Sequence, residues 1–300
     1  QTVSANGIQI CYEDRPGPDA DCPTLLMIMG LGCQMLHWPE GMVAALNQHY
    51  RVIRFDNRDV GHSSWMDGQR APSASGFDLA RWFMGARLPS PYSLDDMAAD
   101  AVGLLDALGL PSAHIVGASM GGMIAQIMGY AHADRVESLS LIMTTSGKRT
   151  KGLPRQDTLK TITRPPRSRE FDEVLRTAIR SWEALQGRRH RTPPEVVESR
   201  LRAILERAQN PAGFMRQNAA ILNQPDRSRA LRGIRAPTLV LHGEDDPLVN
   251  VSGGRHLAQL IPRARLRTIP GWGHDFPPSL LDTLTDEIHG HINEHSAAIA

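Results

Sequence analysis

The sequence predicts an α/β fold in which a mostly parallel sheet is covered by helices. Three observations carry that expectation. Short β-rich segments alternate with helical patterns along most of the chain. One of them, Thr24 to Met29, is an unbroken apolar run (TLLMIM), as a strand buried on both faces requires. Another, Ala113 to Val116, runs into a glycine-rich turn that opens an apolar helix.

In chain order, Ile8 to Tyr12 alternates and reads as an early strand. Thr24 to Met29 follows, then Arg51 to Asp56. Ser93, with Asp96 three residues on, forms a capping box for a helix that runs to Leu108, where Gly109 and Pro111 stop it. Ala113 to Val116 is the next strand, and Met120 to His132 the helix after its turn. Val136 to Met143, Pro237 to His242 and Ala264 to Ile269 complete the strands, and Leu280 to His295 is the last helix. From Ser146 to Arg232 no strand pattern occurs, and the stretch is rich in Arg, Pro and helix formers. It reads as a helical insertion over the sheet's C-terminal edge. Gly68 to Pro91 reads as a second, irregular insertion.

At 300 residues and 41% hydrophobic, the chain can bury a large core without staples or metals. No apolar run is long enough for a spanning helix, and QTVSANG lacks the basic and apolar parts of a signal peptide. A cytoplasmic location is therefore expected, with a removed leader left open because the chain begins at Gln. Cys11, Cys22 and Cys33 match no zinc spacing, and an odd count argues for free thiols over a disulfide framework. Net charge is +1, but residues 148–216 carry +9 and the remainder −8. Such an Arg-rich stretch could meet acidic substrates; a solvated helix face is the plainer expectation. It has no aromatic or glycine-rich partner motif, so nucleic acid is not an expected partner.

The strongest chemical signal is Gly117-Ala118-Ser119-Met120-Gly121-Gly122, a G-x-S-x-G match between a strand and a helix. A strained turn there lifts the serine hydroxyl out of the sheet, and small flanking residues let strand and helix pass closely. A serine hydroxyl needs an adjacent base. Of the 12 histidines, His274 lies in a glycine-rich loop (IPGWGHDFPP) after the last strand, at the edge where ligands bind. His289, His291 and His295 belong to the last helix and are expected to be solvated, and His256 sits on a helix. The acid that orients the base should follow the preceding strand, where Glu244, Asp245 and Asp246 stand. Asp246 is preferred and Asp245 is second; the earlier loop TTSGK offers no carboxylate. Two backbone N–H groups should hold a developing oxyanion. Met120 supplies one, and Leu31, between Gly30 and Gly32 in the loop after TLLMIM, supplies the other. Trp38, Met123 and Trp272 are candidate pocket residues.

These residues together resemble the α/β-hydrolase fold superfamily over nearly the whole chain. Asp56-Asn57-Arg58-Asp59-Val60-Gly61-His62-Ser63 is similar to the family's structural D-x-R-G-x-G-x-S loop, with Asp59 where many members have glycine. HGEDDPLV is similar to the acid loop and places the acid at Asp246, and GWGH is similar to the histidine loop. Met29-Gly30 stands where many members have His-Gly. The resemblance implies a mostly parallel eight-stranded sheet, with residues 1–145 and 233–300 as core and 146–232 as a helical cap. The motif pattern is closest to small carboxylesterases that include the aclacinomycin methylesterases. That implies cleavage of a small-molecule carboxylic ester through an acyl-enzyme, with no metal or organic cofactor. A lactonase, a C–C bond hydrolase and a cofactor-free perhydrolase would use the same residues. An epoxide hydrolase or dehalogenase would place aspartate at the elbow. A non-catalytic receptor that keeps the pocket is the alternative of another class.

Overall fold

A computed structural model of the chain describes residues 1–69 and 88–296. Most of the irregular segment expected from Gly68 to Pro91 lies outside the described residues. The eight strands are β1 (Thr2–Ala5), β2 (Ile8–Arg15), β3 (Thr24–Ile28), β4 (Arg51–Phe55), β5 (Ala113–Ala118), β6 (Val136–Ile142), β7 (Thr238–Gly243) and β8 (Ala264–Ile269). They form one sheet in the order β1-β2-β4-β3-β5-β6-β7-β8. From β4 onward every pairing is parallel, while β1–β2 and β2–β4 are antiparallel. The fold is thus the α/β-hydrolase architecture that the sequence implied.

One strand was not anticipated. β1 joins β2 through Asn6 (φ 48°) and Gly7 (φ 78°), a two-residue hairpin whose left-handed positions suit Asn and Gly.

Alternation along the central strands divides the core. Leu26 and Ile28 of β3 face a cluster covered by helices α2 (Leu94–Ala107) and α3 (Met120–Ala131). Leu25 and Met27 face the opposite cluster, covered by α1 (Glu40–Asn47) and the C-terminal helix Leu281–Ser296. The capping box at α2 forms as expected: Asp96 N–H donates to Ser93 Oγ at 3.2 Å, and Ser93 N–H donates to Asp96 Oδ2 at 2.7 Å. No helix among the described residues is long and apolar enough to cross a membrane. The three cysteines are free thiols.

Between β6 and β7 the chain runs through five helices and no strand: α4 (Gln156–Ile162), α5 (Phe171–Leu185), α6 (Pro194–Arg207), α7 (Pro211–Leu222) and α8 (Ser228–Leu231). Leu175, Val197 and Leu201 bury a small cluster between α5 and α6. The expectation that the arginines here form a solvated face holds for Arg176, Arg180 and Arg202 and fails for two others. Arg207 pairs with the buried Asp56 at 2.6 Å, and Arg216 with the buried Asp59 at 2.6 Å. These two cations fasten the insertion to the loop after β4.

Asp59 explains its own departure from the family pattern. Its φ of 68° lies in the left-handed region that favours glycine. Arg216 holds its carboxylate from two nitrogens, at 2.8 and 2.6 Å, and the Tyr92 hydroxyl donates to it at 2.7 Å. Burial opposes ionisation, and these donors more than offset that, holding the Asp59 carboxyl below its usual range.

A second correction concerns the last helix. His291 is not solvated: it is 1% exposed, on the face shared with Ile288 and Ile292. Burial there lowers its pKa to about 4.

Candidate active site

The site assembles where the chain changes direction across the sheet. β3 leads outward to β4 on one side, and β5 lies on its other side, so the strand order reverses beside the ends of β3 and β5, where sheets of this kind bind ligands. Register brings those ends level, with Ile28 opposite Gly117.

Ser119 sits immediately past β5 with φ 55° and ψ −118°, a strained conformation for a residue with a side chain. The strain is held by packing and hydrogen bonds. Ser119 N–H donates to Ile142 O at 2.9 Å, and Thr144 Oγ1 donates to Ser119 O at 2.7 Å. The glycines are needed for space: a Cβ on Gly117 would lie 2.4 Å from Gly121 O, and one on Gly121 would lie 2.0 Å from Ile28 O.

His274 comes from the loop after β8 and Asp246 from the loop after β7, and those strands end level at Gly243 and Ile269. His274 Nε2 lies 3.0 Å from Ser119 Oγ, and His274 Nδ1 lies 2.7 Å from Asp246 Oδ2. Asp246 is 3% exposed, and its other oxygen accepts from Leu248 N–H at 2.9 Å and Val249 N–H at 2.8 Å. Burial alone would raise its pKa. The adjoining imidazoles of His274 and His242 outweigh burial and hold it at about 2. An ionised Asp246 accepts, so Nδ1–H donates and Nε2 presents its lone pair to Ser119. The neighbouring Asp245 turns away and accepts from Arg188 Nε and Nη2 at 2.7 and 2.8 Å.

His242 was not singled out from the sequence. Its Nε2–H donates to Val249 O at 2.7 Å and lies 3.4 Å from Asp246 Oδ2, so it supports the carboxylate from β7. Its position near the end of β7, just before the acid loop, was the available signal.

Leu31 and Met120 stand in the two loops that meet at Ser119, one after β3 and one after β5. Met120 opens α3, so its N–H has no partner within the helix. In the opposite loop, Gly32 N–H donates to Gln217 Oε1 at 2.8 Å and Cys33 N–H to Gly30 O at 3.2 Å. Leu31 N–H makes no hydrogen bond among the described residues. Gly30 lies against the nucleophile: a Cβ there would sit 3.1 Å from Ser119 Cβ. Gly32 has φ 67°, and a Cβ on it would strike Phe214 of α7 at 2.7 Å. Asn57 Nδ2 donates to Met29 O at 2.9 Å, bracing this loop from beneath. The buried Gln217, from the insertion, was also missed by sequence reasoning, because nothing local marks it.

Two pocket candidates belong to the core instead. Trp38 is 1% exposed and packs against Phe276, and Trp272 is 0% exposed and donates from Nε1 to Asp275 O at 2.7 Å. Trp272 lies within the histidine loop and Trp38 beside it, and both are buried in the apolar cluster that also holds Leu280 and Leu284. Met123 lies one turn into α3, 7% exposed, with its N–H donating to Ser119 O at 3.2 Å. A recess of about 640 Å³ opens behind the acid loop, between Arg155, Arg188 and Asp245, and Ser119 is not among its walls. Among the described residues no group of three His, Cys, Asp or Glu side chains assembles a metal site.

Comparison with known proteins bears on this arrangement. The family described as alpha/beta hydrolase fold matches residues 23–277. A rhodomycin D methylesterase of Streptomyces peucetius is 29% identical over 304 residues, covering 93% of this chain and 94% of the relative. A Caulobacter segnis protein provisionally named as a carbamate hydrolase is 29% identical, covering 89% of this chain and 90% of the relative. Among solved structures, the enol-lactonase of Burkholderia xenovorans superposes with a TM-score of 0.74 at 23% identity, covering 98% of this chain and all of that one.

Proposed function

We propose that this chain, which belongs to the alpha/beta hydrolase fold family, cleaves a small-molecule carboxylic ester by acyl transfer through Ser119. The observation that carries the reading is the hydrogen-bonded sequence Ser119–His274–Asp246, with a buried, ionised carboxylate at its far end. In the first step Ser119 Oγ attacks the ester carbonyl while His274 Nε2 takes its proton. Asp246 holds the ring in the tautomer that leaves Nε2 free and stabilises the imidazolium that forms. The N–H groups of Leu31 and Met120 receive the charge that develops on the carbonyl oxygen. His274 then protonates the departing alcohol. Water, activated by the same imidazole, releases the acid and restores the serine. No step draws on a metal or organic cofactor.

The methylesterase relatives favour a methyl ester as the natural linkage, and the cap of residues 146–232 shapes the acyl pocket through α7, whose Phe214 and Gln217 reach the Leu31 loop. A second reading is supported by the carbamate-hydrolase relatives: the same serine would attack a carbamate carbonyl. Turnover of short p-nitrophenyl esters by the wild type and by Ser119→Ala tests the central claim. Activity should fall by at least about 10⁴-fold in the variant, and a fluorophosphonate should label Ser119 alone. Equal rates would refute the assignment. A panel of methyl esters, lactones and carbamates then ranks the linkages by kcat/KM.

A further inference from the structure

The insertion does more than cover the sheet, because one of its segments is built into the histidine loop. Residues 185–192 connect α5 to α6 and lie along residues 271–279. Backbone contacts dominate. His274 N–H donates to Leu185 O at 2.7 Å, and Gly271 O accepts from Arg189 N–H at 3.1 Å and His190 N–H at 3.4 Å. Side chains extend the seam: Thr192 Oγ1 donates to Asp275 Oδ2 at 3.2 Å, and His190 Nδ1 lies 3.2 Å from Ser279 Oγ.

The two segments touch where neither has a side chain. A Cβ on Gly187 would fall 2.1 Å from Gly271 O and 2.6 Å from Gly273 N. A Cβ on Gly273 would fall 2.3 Å from Gly187 N and from Leu185 O. Every one of these obstructing atoms is backbone, so relief requires moving one segment relative to the other. One of the two segments carries His274, whose ring must meet Ser119 and Asp246 at the same time. A shift of about 1 Å is enough to break such a geometry.

We propose that residues 185–192 form a positioning strap for the imidazole, with Gly187 as the residue that sets how closely His274 approaches Ser119. The insertion then governs the competence of the base, in addition to shaping the cleft. The proposal rests on the reading of His274 as general base, and its test includes a readout that does not depend on turnover.

Four forms of the full chain are compared: wild type, Gly187→Ala, Thr192→Val and Leu201→Ala. Thr192→Val removes a strap hydrogen bond without adding bulk. Leu201→Ala loosens the small cluster between α5 and α6 away from the strap and serves as the stability control. Proton NMR follows the imidazole Nδ1–H of His274, identified by its loss in His274→Ala. Steady-state kinetics on a p-nitrophenyl ester follow kcat, KM and the acid limb of kcat/KM against pH. The expectation is a shifted or exchange-broadened Nδ1–H signal in Gly187→Ala, and a kcat about 10- to 100-fold lower with KM within about twofold. Thr192→Val should show the same changes at smaller amplitude, while Leu201→Ala lowers Tm and leaves signal and kcat in place. An unchanged Nδ1–H signal in both strap variants would overturn the proposal, whatever the substrate proves to be. So would equal kcat losses in Gly187→Ala and Leu201→Ala. A perturbed signal without esterase activity in any form would uphold the strap and reject the esterase reading.

Discussion

Asp275 follows His274 in the chain, yet it faces a different environment and invites a quantitative test. Its carboxyl is 2% exposed, Oδ2 accepts from Thr192, and Oδ1 has no partner among the described residues. Burial raises its pKa; Thr192, His274 and Arg200 recover part of that cost, Asp246 adds to it, and the result is about 7. The folded chain therefore holds this proton more tightly than the unfolded chain, whose carboxyl titrates near 3.8. The group's contribution to stability is fully present below that unfolded value and erodes as pH rises towards about 7. A displacement of about 3 units at 1.36 kcal/mol each gives a penalty near 4 kcal/mol above pH 7. At pH 5 the same arithmetic leaves less than half of that penalty. Asp275→Asn keeps the size and removes the ionisation. Relative to wild type, the variant should gain up to about 3 kcal/mol of stability between pH 5 and pH 8. Urea unfolding at both pH values measures this difference of differences, and any constant cost of the amide cancels. In thermal scans it amounts to a relative Tm gain on the order of 5 °C. If the two proteins show parallel stability–pH curves, the carboxyl is not held neutral in the folded state and the reasoning fails.

Other outcomes follow from the same structure. Asp246→Asn should lower kcat by about 10⁴-fold, because the amide no longer selects the imidazole tautomer that serves Ser119. Asp245→Asn loses contacts to the exposed Arg188 alone and should leave kcat close to wild type; comparable kcat losses in the two variants would mean that the acid is misassigned. Arg216→Met strands the buried Asp59 and should cost about 3–5 kcal/mol. In the double variant Asp59→Gly/Arg216→Met most of that loss should disappear, and calorimetry showing additive losses would contradict the pairing.

Much of this architecture is legible in the sequence, for identifiable reasons. Strands β3, β5 and β7 carry short apolar runs, since central strands of a covered parallel sheet are buried on both faces, whereas the edge strand β8 (ARLRTI) alternates. The serine turn announces itself because close backbone passage admits glycine alone at Gly117 and Gly121. Asp246 and Asp245 are not separable from residue type, and which carboxyl turns towards the ring depends on the turn that follows β7. β1 could have been read: Asn6-Gly7 between short alternating stretches is a hairpin signal. His291 was legible too, since it shares a helical face with Leu284, Ile288 and Ile292. The tryptophans were not, because an aromatic residue in a loop packs inward or outward according to distant neighbours. Nor were Arg207 and Arg216, whose partners Asp56 and Asp59 lie about 150 residues earlier in the chain.

The bond between Asp59 and Arg216 also bears on how such enzymes diversify. A cap held only by greasy contact could be exchanged among homologues to import a new preference. Here the recipient frame contains a carboxylate in a twisted backbone position that only a guanidinium from the incoming piece neutralises. A chimera taking residues 146–232 from a homologue with glycine at the matching core position would leave that anion stranded. Asp59 and Arg216 are therefore expected to be inherited as a unit, and a recombinant whose crossover brings both ends of the pair should be the more stable one.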